Sequence, residues 1–300
     1  MKTRIKKRPR RKLLQSSLLP IFIASVGIII VSIYLWTSPK SPVHSSNYLL
    51  INVVSGDVIE AHDENKKVYP ASLTKIMTAL LAIEHTNDFS EVITVQEEIY
   101  DKIYKAGASV AGFEPGELAT LEELLYGIML PSGAECCLTY ANHIAGSETA
   151  FVVLMNQRAR ELGMNDTHFT NCTGLHSADH YTTAQDLAIL LRYALNDETF
   201  RTVLTSQEFY VTPSAVHSDG FYLQSTLMEA WNRCETPLPP KIQILGGKTG
   251  YTSASGLCLA SLVRIDGEEY ILITLGAEGT PDSEPLHVQD AITLYSELIG

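Results

Sequence analysis

Cysteine is scarce in this chain. The five residues Cys136, Cys137, Cys172, Cys234 and Cys258 make an odd count with no C-x-x-C pair. That argues against a cysteine-rich zinc site and a regular disulfide framework, and leaves room for one bridge whose partners the spacing does not name. Three of the five lie among apolar or small residues, where a free thiol acts as a small hydrophobe. Basic residues are also scarce once the start is passed. The first twelve residues, "MKTRIKKRPRRK", hold eight of the 22 Lys and Arg, so the remainder carries 14 against 34 acids, a net of -20. A body this acidic repels polyphosphate, which argues against nucleic acid as a partner. There is no H-E-x-x-H, no internal repeat, and no low-complexity stretch outside one short linker.

Charge is also missing from "LLPIFIASVGIIIVSIYLW", residues 18–36, nineteen residues long. That is about the length that crosses a bilayer's hydrocarbon core. Its basic flank, residues 1–17, belongs on the cytoplasmic side, and Tyr34 and Trp36 sit where an interfacial aromatic belt would. A cleaved signal peptide is the competing reading. The apolar core is long for one and no A-x-A-like site follows, so a retained single-pass anchor is expected, with the body outside the cell. The Pro/Ser stretch "TSPKSPVHSS", residues 37–46, spans at most about 35 Å fully extended.

The body, residues 47–300, is expected to be one domain. "NYLLINVVSGDVIEAHD" reads as a hairpin turned at Ser55-Gly56-Asp57. In "PASLTKIMTALLAIEH" the apolar residues Leu73, Ile76, Met77, Leu80 and Ile83 mark one buried face of a helix starting near Ser72. Four more helices follow: "TLEELLYGIML" with a Thr120/Glu123 capping box, "GAECCLTYANHIAG", "SETAFVVLMNQRARELG" stopped by Gly163, and "TTAQDLAILLRYAL" with Thr183 and Asp186 at capping-box spacing. Beyond Phe200 come strands, "EFYVTP", "KIQILGGKTG", "GLCLASLVRI" and "EEYILITLGA", the last two joined at "DGE". "HVQDAITLYSELI" closes the chain as a helix. Strands at both ends with helices between predict an α+β fold, an antiparallel sheet flanked by helices.

Three short motifs carry chemistry. Ser72 and Lys75, at i,i+3, share a helix face, so the amine can reach the hydroxyl and activate it as a nucleophile. The helix N-terminus adds a positive dipole end where an oxyanion would form. Ser132, in the turn of "MLPSGAECC", can point into a cleft. Lys248 and Thr249, in "GGKTGYTSASG", can hold an anionic end, while the small Gly250 would let a substrate lie close against the strand. Each has a plain structural alternative: an N-cap serine before a surface lysine, a second N-cap, and a glycine-rich hairpin.

In this order the three match the set S-x-x-K, S-x-N and K-T-G of penicillin-binding proteins and β-lactamases. The chain resembles the low-molecular-weight penicillin-binding proteins, the serine D-alanyl-D-alanine carboxypeptidases, from about Asn47 to Gly300. The likeness extends to "GELATLEELLYGIMLPSGAE", "ANHIAGSETAFVVLMNQRARELGMNDTHFTNCTGL" and "HYTTAQDLAILL". The resemblance implies the DD-peptidase/β-lactamase-like fold. It also implies that Ser72 attacks the bond between two terminal D-alanines of a peptidoglycan stem peptide, releasing D-alanine and leaving an acyl-enzyme that water hydrolyses. Lys75 would be the base and Ser132 the proton relay to the leaving amine. Lys248 would supply positive field, Thr249 would hold the terminal carboxylate, and the N–H groups of Ser72 and Tyr251 would form the oxyanion hole. β-Lactams would acylate Ser72 covalently. No metal or organic cofactor is implied, and the setting is a bacterial cell membrane with the catalytic domain on its outer side.

Two departures stand out. The family usually has asparagine where this chain has Ala134, and Glu135 is the nearest polar residue to replace it. Many members carry a second, β-rich domain and an amphipathic membrane helix, for which the N-terminal anchor would substitute here. A β-lactamase is the nearest alternative, but no S-D-N or glutamate-bearing loop is recognisable. A catalytically weak wall-peptide binder is another, with Ala134 as its support. A metallopeptidase would rest on the i,i+4 spacing of His176 and His180, which lie in a loop leading to a helix cap. The sequons at Asn165 and Asn171 are read as incidental.

Overall fold

The computed structural model describes residues 43–299. The basic tail, the apolar segment 18–36 and linker residues 37–42 therefore lie outside the described residues. Among the described residues no helix is long and apolar enough to cross a membrane.

A hairpin of β1 (Asn47–Asn52) and β2 (Val58–His62) opens the body. Asn52 Oδ1 accepts the N–H groups of Val54 and Ser55 and shapes the turn between them, a side chain standing in for a backbone acceptor. Next, a 3-10 turn, Ala71–Thr74, runs directly into α1 (Lys75–His85). Every residue from Lys75 to Ile83 is buried. The expected single buried face is thus a helix enclosed all round, which makes it the axis of the core.

Then come β3 (Val92–Thr94), α2 (Tyr100–Ala106), β4 (Leu118–Thr120) and α3 (Leu121–Met129). Thr120 and Glu123 form the complete capping box. The helices α4 (Ala134–Ala145), α5 (Glu148–Leu162) and α6 (Ala184–Ala194) follow. At α6 only half of the expected box exists. Thr183 Oγ1 accepts the Asp186 N–H, but the Asp186 carboxylate accepts from the Asp166 N–H and the Thr167 hydroxyl instead.

After α7 (Glu198–Thr205) come β5 (Glu208–Val211), β6 (Phe221–Gln224) and α8 (Thr226–Arg233). The "EFYVTP" strand pairs with β6 in a separate hairpin and never joins the main sheet. The chain ends with β7 (Ile242–Thr252), β8 (Gly256–Ile265), β9 (Glu268–Ala277) and α9 (Leu286–Ser296). The Asp266-Gly267 turn has φ of 49° and 91°, the left-handed pair of a tight hairpin.

The main sheet is antiparallel, in the order β2-β1-β9-β8-β7. Early and late strands do meet, β1 against β9. Alternation along β8 shows why its sequence is mostly apolar: Cys258, Ala260 and Leu262 join the core around α1, whereas Leu259 and Val263 pack with α8 and α9. Both faces are covered, with β7 left at the edge. The Asp290 carboxylate of α9 accepts the N–H groups of His44 and Ser45 and the Ser45 hydroxyl. His44 and Ser45, inside the stretch read as linker, are therefore tied to the body.

Candidate active site

Ser72 is the second residue of the 3-10 turn and Lys75 the first of α1. Lys75 Nζ lies 3.2 Å from Ser72 Oγ and 2.7 Å from the Thr173 carbonyl oxygen. Only 2% of Lys75 is exposed, so its amine is pinned between hydroxyl and carbonyl with little else to bond.

The residue before the nucleophile is strained. Ala71 has φ of 47°, a left-handed conformation that costs a non-glycine residue about 1–2 kcal/mol. A buried chain of hydrogen bonds holds it there. Thr170 N–H donates to His180 Nδ1 at 3.0 Å, His180 Nε2 lies 2.8 Å from Thr74 Oγ1, and Thr74 Oγ1 donates to the Ala71 carbonyl at 2.8 Å. Because Nδ1 accepts, the ring proton sits on Nε2. Burial, aided by neighbouring His168 and His176, pushes the His180 pKa down to about 4. His180 is thus a neutral strut beneath the nucleophile turn, and His176 stands edge-on to Tyr69, ring centroids 4.6 Å apart, instead of sharing a ligand with it. Among the described residues no three His, Cys, Asp or Glu side chains converge as metal ligands would.

The loop supplying the Thr173 carbonyl is organised by Asn171. Its Oδ1 accepts the N–H groups of Thr173, Gly174 and Leu175, and its Nδ2 donates to the Leu175 carbonyl. The sequon asparagine is committed to this turn. Gly174 has φ of 86°, and a Cβ there would lie 2.0 Å from the Ala71 oxygen.

Lys248 is fully buried on edge strand β7, its Nζ donating to the Thr249 carbonyl at 3.1 Å. Burial, and then the nearby Lys75 ammonium, holds its pKa well below the ordinary lysine range. Thr249 Oγ1 lies 2.7 Å from Thr226 Oγ1 at the start of α8. Gly250 lines the larger lobe, and it has a further reason to be small: a Cβ there would lie 2.9 Å from the Ser72 nitrogen. The small residue makes room for the nucleophile turn itself and brings β7 against it.

Ser132 sits between α3 and α4 with φ of 71°, a second left-handed non-glycine, and its buried Oγ has no partner among the described residues. Ser72 lies where two lobes of one cleft meet. A lobe of about 430 Å³ is lined by Lys75, Gly174, His176 and Tyr251; another of about 840 Å³ holds Ser132, Thr226, Thr249 and Arg233. Ser72, Lys75, Ser132, Thr249, Gly250 and Tyr251 therefore line one opening, whereas Lys248 is fully buried and lines neither lobe.

Glu135 does not line it either. Its Oε1 accepts the N–H groups of Ala111 at 2.5 Å and Gly112 at 3.0 Å, and its Oε2 is buried without a partner. Burial pushes its pKa up. Neither oxygen reaches the cleft, so it does not replace the missing amide. All five cysteines are free thiols, so no bridge forms.

Sequence reading missed His180 as a strut, Asn171 as a loop organiser, and Thr226 and Ser109 as cleft walls. Only Asn171, three residues before a glycine, had a local turn signal.

The family model for D-alanyl-D-alanine carboxypeptidase matches residues 36–279. The Bacillus subtilis D-alanyl-D-alanine carboxypeptidase DacF is 33% identical over 229 residues, covering 76% of this chain and 56% of that protein. The Escherichia coli DacD is 28% identical over 285 residues, 92% of this chain and 69% of its own length. The chain thus spans little more than half of the first relative and about two thirds of the second. In three dimensions a Streptomyces DD-transpeptidase crystal structure superposes with a TM-score of 0.75 at 25% identity, over 86% of this chain and 97% of that one. The α+β architecture is the one those DD-peptidases share, and the chain belongs to the D-alanyl-D-alanine carboxypeptidase family of serine peptidases.

Proposed function

We propose that the chain removes the terminal D-alanine from peptidoglycan stem peptides through an acyl-enzyme on Ser72. The observation that carries this is the Lys75 amine, 3.2 Å from Ser72 Oγ and oriented by the Thr173 carbonyl. Ser72 Oγ attacks the carbonyl carbon of the penultimate D-alanine as its proton passes to the Lys75 amine. The oxyanion meets the N–H groups of Ser72 and Tyr251; such donors contribute about 3–4 kcal/mol each in comparable sites. As the C–N bond breaks, the leaving amine takes a proton from the Ser132 hydroxyl, which is replenished from Lys75. Water then attacks the ester as Lys75 accepts its proton; the bond from the acyl carbon to Ser72 Oγ breaks, and that proton passes from Lys75 to the serine oxygen.

The leaving D-alanine lies in the larger lobe, its carboxylate on the Thr249 hydroxyl beside Lys248. A β-lactam acylates Ser72 by the same attack and remains attached. The β-lactamase alternative requires a group that activates water rapidly, and Glu135, the nearest carboxylate in sequence to the Ser132 motif, is turned away from the cleft. Residues 18–36 hold the enzyme at the outer face of a bacterial membrane, a reading supported by the basic block before them.

The test is product analysis with a pentapeptide ending in D-Ala-D-Ala. One D-alanine and the tetrapeptide are expected, both lost in Ser72→Ala. Rapid penicillin turnover without D-alanine release would replace this reading with a β-lactamase.

A further inference from the structure

The family's asparagine at position 134 leaves a gap in the site's logic, and the loop after α2 fills the space. Ala134 has no exposed surface, and its N–H donates to the Ser109 carbonyl at 2.8 Å. A Cβ on Gly133 would lie 2.7 Å from Ala111 Cβ, so the loop rests directly on the Ser132 motif. Glu135 holds the same loop from beneath through the Ala111 and Gly112 N–H groups. Ser109, at the loop's inner edge, lines both lobes of the cleft beside Ser72. It is exposed there, and among the described residues its hydroxyl has no partner.

We infer that Ser109 supplies the polar contact to the substrate's acyl-side peptide group, with Glu135 as the positioning residue that sets its loop. The shape of the motif follows from this. The Ala134 N–H holds the Ser109 carbonyl and Gly133 sits against Ala111, so the Ser132 motif and the serine loop are two parts of one arrangement. A hydroxyl can accept the N–H of the amide before the penultimate D-alanine or donate to its carbonyl, which is the service an amide side chain would give. Glutamine keeps the side-chain oxygen that accepts the Ala111 and Gly112 N–H groups, so it can take the place of Glu135.

This inference rests on the acyl-transfer reading of Ser72, and one experiment separates the two. A blocked tripeptide ending in D-Ala-D-Ala is compared with the analogue whose amide before the penultimate D-alanine is an ester. The wild-type enzyme should prefer the amide in kcat/KM. In Ser109→Ala that preference should shrink by roughly three- to tenfold, the value of one neutral hydrogen bond. Glu135→Gln should keep the wild-type preference and Glu135→Leu should lose it, a rescue that a general folding defect would not produce. Penicillin should still label Ser72 in all three variants, and its loss everywhere would count against the acyl-transfer reading. An unchanged amide-to-ester ratio in Ser109→Ala, with labelling intact, would overturn the role of Ser109.

Discussion

Acidification tests the strut beneath the nucleophile turn. His180 ionises at 6.5 in an unfolded chain and at about 4 in the folded one. Between those values the unfolded chain binds a proton that the folded chain refuses, so stability is complete above pH 6.5 and falls as the pH drops through the window. By about pH 4.5 the loss from His180 alone is about 2.5 kcal/mol. Total stabilities are only about 5–15 kcal/mol, so this is a large share. His287, whose pKa is also pushed down to about 4, mainly by burial, adds a similar slope. Urea unfolding of the wild type and His180→Gln at about pH 7.5 and about pH 4.5 isolates the first contribution. Glutamine keeps an N–H for Thr74 but cannot take up the proton. The variant should start about 1 kcal/mol less stable, having lost the acceptor for Thr170 N–H. Its further loss at low pH should then be about 2–3 kcal/mol smaller than the wild type's. Equal pH dependence of the two proteins, or an imidazole that titrates near 6.5 in the folded state, would refute the reasoning.

Other outcomes follow from the same geometry. Gly250→Ala places a Cβ 2.9 Å from the Ser72 nitrogen; it should lower stability without substrate by about 1–3 kcal/mol and slow acylation roughly a hundredfold. Unchanged thermal unfolding would return the glycine to a substrate-clearance role. Ala134→Asn should lower kcat/KM, because position 134 has no exposed surface and a larger side chain must displace its packed neighbours; a tenfold gain would show the site merely weakened by alanine. Lys248→Met should abolish turnover yet raise stability at neutral pH. The depressed lysine pKa costs folding energy that grows as pH falls from about 10.4 toward the folded value, and methionine has no charge to bury. Urea titration at neutral pH is the check.

Much of the fold was legible because its signals are local. The Asn52 turn, the Thr120/Glu123 box and the Gly163 stop each act within a few residues. That early and late strands share one antiparallel sheet followed from element order alone. What escaped reading depends on distance in sequence. His180 looks like half of a metal pair until Thr74, 106 residues earlier, appears as its partner. The glycine of the K-T-G motif was seen, but its cause, the Ser72 nitrogen against β7, is a tertiary contact. Ser109 sits in "GASVAG", a stretch without period or charge, and only the loop's fall onto Ala134 brings it to the cleft. Glu135 shows the converse: adjacency to the motif suggested a role in the cleft, and the helix turned its carboxylate the other way.

The most direct measurement is the rate of covalent labelling by penicillin, read by mass spectrometry. One adduct per chain is expected, on the peptide that contains Ser72, with none in Ser72→Ala. Lys75→Ala should slow its formation on the order of a thousandfold, the usual contribution of a positioned general base. Labelling at another serine, or Lys75→Ala reacting at the wild-type rate, would contradict the Ser72–Lys75 mechanism.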